Sequence, residues 1–121
     1  MQNCLIVGAG GAIGSIFRYL IGLLNVQPQS GFPVKTLFIN ILGAFVIGLV
    51  TALAAKNGTL DSRLVLLLKV GVCGGFTTFS SFAYETSGLM QAAQTAVALA
   101  YVLLSVTLGV LAVFAAQLLV H

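Results

Sequence analysis

Acidic side chains are almost missing: Asp and Glu together number two among 121 residues. Asp61 falls in a connecting loop, and Glu85 falls near the far end of a long apolar segment, so neither has a carboxylate partner. That excludes acid–base chemistry by paired carboxylates. The one His is the last residue, and nothing else recurs at metal-ligand spacing. No nucleophile has a neighbouring base, which argues against an enzyme. The two cysteines, Cys4 and Cys73, lie in apolar segments, where free Cys acts as a small packing residue rather than half of a disulfide. Charge of either sign is scarce, at 6% of residues, against about 25% in soluble domains. A net charge of +3 this sparse does not describe a nucleic-acid binder.

What the chain has is apolar length: 60% hydrophobic residues and a mean hydropathy of +1.14. A membrane span needs about 20 mostly apolar residues. Four are expected, at about 3–25, 34–56, 64–90 and 92–120, giving an all-α integral membrane domain over 1–121. The connections are too short for a soluble domain. The first span lacks a basic leading region, so it reads as a retained helix rather than a signal peptide.

The loops place Lys35 on one side of the bilayer and Lys56 and Arg63 on the other. Arg18 belongs with the first side and Lys69 with the second, each about two turns inside a span. Orientation normally follows a clear Lys/Arg excess in cytoplasmic loops. Here the count is two against three. It permits insertion in both orientations and equally one orientation with a modest preference. Four short helices enclose little volume, so an oligomer is expected. Gly10–Gly14 and Gly71–Gly75 are both small-xxx-small patterns, suited to close helix approach within one chain or between two.

Residues 71–82 read Gly-Val-Cys-Gly-Gly-Phe-Thr-Thr-Phe-Ser-Ser-Phe. Adjacent glycines predict an interruption of the third helix at mid-membrane. Irregular backbone at that depth survives where it lines a path or a site. Carbonyls freed between Gly74 and Thr78 suit a cation such as sodium, and two copies of the break meeting across a two-fold axis would build one cage. Residues 5–15 tempt a dinucleotide-binding reading, but the third glycine of that motif would fall on Ile13, and no acid follows about 20 positions on.

Elsewhere the polar residues are few. Thr36 and Asn40 are spaced i, i+4 on the second span, with Gly43 one turn further. A membrane Asn must bond something: a neighbouring helix, or a passing ligand. Arg18 reads as a snorkelling side chain or as a lure for anions in a vestibule. Asp61 or Ser62 suits the N-cap of the third span, and Pro33 the start of the second. Tyr101, Ser105 and Gly109 form a stripe on the fourth. Asn40, Phe79, Ser80, Ser81, Phe82, Tyr101 and Ser105 together offer amide and hydroxyl protons and phenyl edges, with no acid or base. Ring edges carry partial positive charge. Such a lining suits a small, hard anion, whereas a cation path favours carboxylates or carbonyl rings. Ordinary helix packing is the competing reading of the Phe pair.

Along nearly its whole length the chain resembles the Fluc (CrcB-type) fluoride channels of microbes. The matching motifs are Gly10-Gly-Ala-Ile-Gly-Ser-Ile-Phe-Arg18-Tyr19, Thr36-Leu-Phe-Ile-Asn40-Ile-Leu-Gly43 and the 71–82 run. The resemblance implies a dual-topology, antiparallel homodimer with two pores, each formed by both subunits. It implies that Phe79 and Phe82 face the fluoride path near Asn40, within a motif that includes Thr36. It implies a polar track through Ser80, Ser81, Tyr101 and Ser105. It implies a central structural sodium ion held by carbonyls of Gly74 and Thr77 from both subunits. Arg18 matches the family's Arg on the first helix. Phe76 and Ser81 stand where many members have Leu and Thr. The implied role is passive export of cytoplasmic fluoride across the bacterial inner membrane.

Two other classes fit four helices. A small multidrug-type proton antiporter needs a membrane carboxylate, and the first span has none. A purely structural membrane subunit would not need the 71–82 run.

Overall fold

Backbone chemistry sets where each span starts and stops. In the computed structural model, which describes residues 1–121, α1 runs Gln2–Gly22 and α2 Val34–Lys56. The third span is composite: α3 (Ser62–Leu66), a π-helical segment (Leu67–Val72), α4 (Cys73–Phe76) and α5 (Phe79–Gln91). The last helix, α6, covers Thr95–Val120. The chain is all-α, and four helical stretches are long and apolar enough to cross a membrane.

The helix ends are closed by the few charged residues. Asp61 is the N-cap of α3 and accepts from the Arg63 N–H at 3.0 Å. Lys35 Nζ donates to the Gly22 and Leu24 carbonyls at 2.9 and 3.2 Å, satisfying the C-terminal end of α1. Lys56 Nζ donates to Val120 O at 2.8 Å and does the same for α6. A cation at a helix C-terminus also meets the negative end of the helix dipole. α1 ends three residues short of the expected 25, where Lys35 closes it. α6 begins at Thr95 rather than 92, because the connection from α5 needs a turn. Ala93 takes a left-handed conformation (φ 62°) there, and Gln94 N–H reaches back to Leu89 O at 2.8 Å.

Glycine lets backbones touch. Gly10 and Gly14 of α1 are buried against the third span. A Cβ on Gly10 would lie 2.6 Å from Leu67 O and 2.9 Å from Gly71 Cα, and one on Gly14 would collide with Val72 O. Gly75 meets Gly11 O at 2.5 Å in the same sense. Both small-residue patterns therefore serve packing inside one chain, the closer of the two readings they allowed. On the other side, Gly48 of α2 brings that helix onto Val113 and Ala116 of α6.

The Gly74–Gly75 pair differs from expectation. Both lie within helical α4, and it is Thr77 (φ −79°, ψ 157°) and Thr78 (φ −149°, ψ 118°) that are extended. Gly75 is there for close approach to Gly11, not for conformational freedom, whereas Gly74 has open space around it. Upstream, the π-helical turns have no counterpart in the sequence reading. Only 14 of 121 residues are buried, and large apolar side chains cover the outside. That is the inverse of a soluble surface, and it suits lipid or a second apolar partner.

Candidate functional site

Two residues, Thr77 and Thr78, organise the site. Extended backbone takes the Thr78 amide and the Thr77 and Thr78 carbonyls out of the regular helical ladder, and a side chain supplies the replacements at Thr78. Asn40, two turns into α2, takes both ends of Thr78. Its Oδ1 accepts from Thr78 N–H at 2.8 Å, and its Nδ2 donates to Thr78 O at 3.1 Å. Of the two readings of Asn40, the interhelical bond is realised, though to backbone rather than to another side chain. One Nδ2 proton is left over. Thr78 in turn is the N-cap of α5: its Oγ1 accepts from Ser81 N–H at 3.1 Å. The Ser80 hydroxyl lies 3.3 Å from the same oxygen. Thr77 folds back on α4, its N–H and Oγ1 donating to Cys73 O at 3.0 and 2.8 Å.

These bonds decide which carbonyls are free. The helical partner of Gly74 O would be Thr78 N–H, which Asn40 takes instead. The partner of Thr77 O would be Ser81 N–H, which Thr78 Oγ1 takes. Gly75 O accepts from Arg18 Nε at 3.1 Å. Arg18 is thus tied into the α1–α4 contact, in keeping with a structural role.

Two crevices flank this junction. One, about 400 Å³, runs along Asn40, Gly74, Thr77, Phe79, Phe82 and Ser105, with Lys69 on its wall. The Phe79 and Phe82 rings stand 5.7 Å apart and tilted at 55°, Phe79 being 78% exposed. Ser105 Oγ is buried there and has no hydrogen-bond partner. The other, about 500 Å³, is lined by Thr36, Ser81, Arg18 and Glu85. Thr78 borders both.

The second crevice holds the chain's one membrane carboxylate. Thr36 Oγ1 donates to Glu85 Oε2 at 2.8 Å, and Tyr101 Oη donates to Oε1 at 2.9 Å. Tyr101 is fully buried, with the Phe82 and Phe32 rings edge-on at 5.0 and 5.5 Å. Its hydroxyl is an anchor for Glu85, and Phe82 leans on the ring. Of the residues singled out from sequence, Asn40, Phe79, Phe82, Ser105, Gly74 and Thr77 therefore meet in one crevice. Thr36, Ser81 and Arg18 meet in the other. Tyr101 lies buried between α5 and α6, and Ser80 is exposed at the start of α5.

Sequence reasoning named Thr78 only as the end of the freed carbonyls, not as a junction, and gave Glu85 no role. Glu85 had a legible signal: a carboxylate in an apolar segment needs donors, and it lies four residues after Ser81. Thr78 had none, since its importance comes from the extended backbone that Asn40 grips.

The family described as CrcB-like protein, Camphor Resistance (CrcB), matches residues 5–117. The chain belongs to this family. A protein of Chlorobaculum tepidum named "Fluoride-specific ion channel FluC" is 44% identical over 119 residues, covering 98% of this chain and 94% of the relative. Proteins of the same name from Thermus thermophilus and Rhizobium meliloti are 47% and 43% identical, over 94% and 95% of this chain and 91% and 93% of theirs. Membership of a channel family makes the chain a non-enzymatic membrane protein. Its four apolar helices make it a multi-pass protein of the cell inner membrane.

Proposed function

We propose that the chain is a fluoride-selective passive channel that exports cytoplasmic fluoride. The observation that carries it is the Asn40–Phe79–Phe82–Ser105 crevice: an amide proton, phenyl edges and an unpartnered hydroxyl, with no carboxylate. Donors and ring edges together replace the water that a small, strongly hydrated anion must shed. The relatives' name points the same way. Fluoride enters cells as the neutral acid and ionises inside, so a negative interior drives the trapped anion out and no pump is needed.

The crevice is open on one side of the chain, and the exposed apolar surface around it is what a second copy would cover. Two antiparallel copies would close two such crevices into two pores. Lys and Arg counts that scarcely differ between the two ends permit insertion in both orientations. The extended residues Thr77–Thr78 of the third span would be the mid-membrane break on which this assembly turns. Gly74 and Thr77 there offer two carbonyls without donors, hard oxygen ligands of the kind that hold sodium. Two copies around an axis would offer four. When bound, such an ion would supply positive charge near the anion path and tie the two breaks together.

Deletion in the native host tests the reading. Cells lacking the protein should become sensitive to fluoride in acidic medium, and the intact gene should restore growth. Unchanged fluoride tolerance, in a host with no second such gene, would count against export. The antiporter alternative draws its one support from Glu85, and there sensitivity to cationic drugs would change instead.

A further inference from the structure

Five basic side chains serve the chain, and four have work within it. Arg18 bonds Gly75 O, Lys35 and Lys56 close helix ends, and Arg63 Nη2 donates to Gln2 Oε1 at 2.9 Å. Lys69 bonds nothing. It lies in the π-helical segment, seven residues beyond the start of α3 at Ser62, or about 10 Å into the span at helical rise. It is exposed, and it is the single charged residue on the wall of the Asn40–Phe82 crevice. Neither acid can neutralise it locally: Asp61 caps α3, and Glu85 is held by Thr36 and Tyr101 beside the other crevice.

An unpaired cation in an apolar span is costly and is retained where it faces a water-filled path or a functional site. We propose that Lys69 is a rate- and charge-selecting residue of the anion path, its ammonium raising local anion concentration at the mouth of the Asn40–Phe82 crevice. The π-helical turn offers a reason for its placement, because such turns shift the helical register and are frequent at functional sites. A cleft with low-dielectric walls focuses the field of one charge along its length. The competing account is a Lys that snorkels to the headgroups and leaves the path alone.

The inference rests on the channel reading above, and the test separates the two. Single-pore fluoride currents are measured in planar bilayers for the wild type, Lys69→Gln, Lys69→Glu and Lys69→Arg, at about 10 mM and about 1 M fluoride. The Debye length falls from about 30 Å to about 3 Å between these conditions. Lys69→Gln should lose current several-fold at the low concentration and less than about twofold at the high one. Lys69→Glu should lose more, and Lys69→Arg should recover most of the low-salt current. No loss in Lys69→Gln at either concentration would overturn the proposal in favour of snorkelling. An equal loss at both, shared by Lys69→Arg, would overturn it in favour of packing. A wild type that passes no fluoride would sink the channel reading itself, and this inference with it.

Discussion

Asn40 commits both ends of its amide to one residue, and that makes it hard to replace. Asn40→Asp keeps an acceptor for Thr78 N–H but sets a carboxylate against Thr78 O. The expected cost is about 1–3 kcal/mol from the lost donor. Fluoride flux should fall by about tenfold or more, equivalent to about 1.4 kcal/mol of added barrier. Thermal unfolding and electrode-detected efflux read the two effects separately, and unchanged flux would place Asn40 off the path. Glu85 makes the complementary case. Glu85→Ala removes the acceptor for both Thr36 and the fully buried Tyr101 hydroxyl. That should cost about 2–3 kcal/mol, as bonds to a charged group do. Glu85→Gln should keep part of it, because each hydroxyl rotates to meet the amide. A Glu85→Ala melting temperature equal to the wild type's would mean water replaces the carboxylate.

At the scale of elements, the four spans were legible from composition alone, since nothing but a membrane helix sustains such apolar length. The interior of the third span was not. Its glycines look like breakers in sequence, yet they are helical, and the extended residues are the two threonines that follow. The reason is that Gly75 faces the backbone of Gly11, a tertiary demand no local pattern reveals. The π-helical Leu67–Val72 segment, likewise, has no sequence signature. The site was half legible. Asn40, Phe79, Phe82 and Ser105 announce themselves as polar or aromatic residues at helical spacing. The separation of these four from Thr36, Ser81 and Arg18 into two crevices depends on the break, which no local pattern shows. The glycine contacts give a sharp test. Gly14→Val collides with the Val72 carbonyl and should destabilise by about 3 kcal/mol or more. Gly8, on the same helix, has open space around it, so Gly8→Ala should be neutral or stabilise by up to about 1 kcal/mol. Comparable losses at both positions would mean α1 does not pack as described.

At the scale of the whole molecule, the proposed channel needs a second copy. Its crevice is open, its carbonyls at Gly74 and Thr77 lack donors, and its apolar surface is out of proportion to its core. The proposed antiparallel pair would answer all three. Adding two lysines to the loop at Asn57–Thr59 should bias every copy toward one orientation. Flux should then collapse when the variant is expressed alone and return when it is mixed with a copy biased the opposite way. Full activity of either biased copy alone would rule out the antiparallel arrangement. The most direct test of the central claim is efflux from proteoliposomes loaded with fluoride and chloride together, followed with ion-selective electrodes. Fast fluoride release with chloride retained is the expected result. Release of both ions at similar rates, or of neither from well-folded protein, would contradict a fluoride-selective channel.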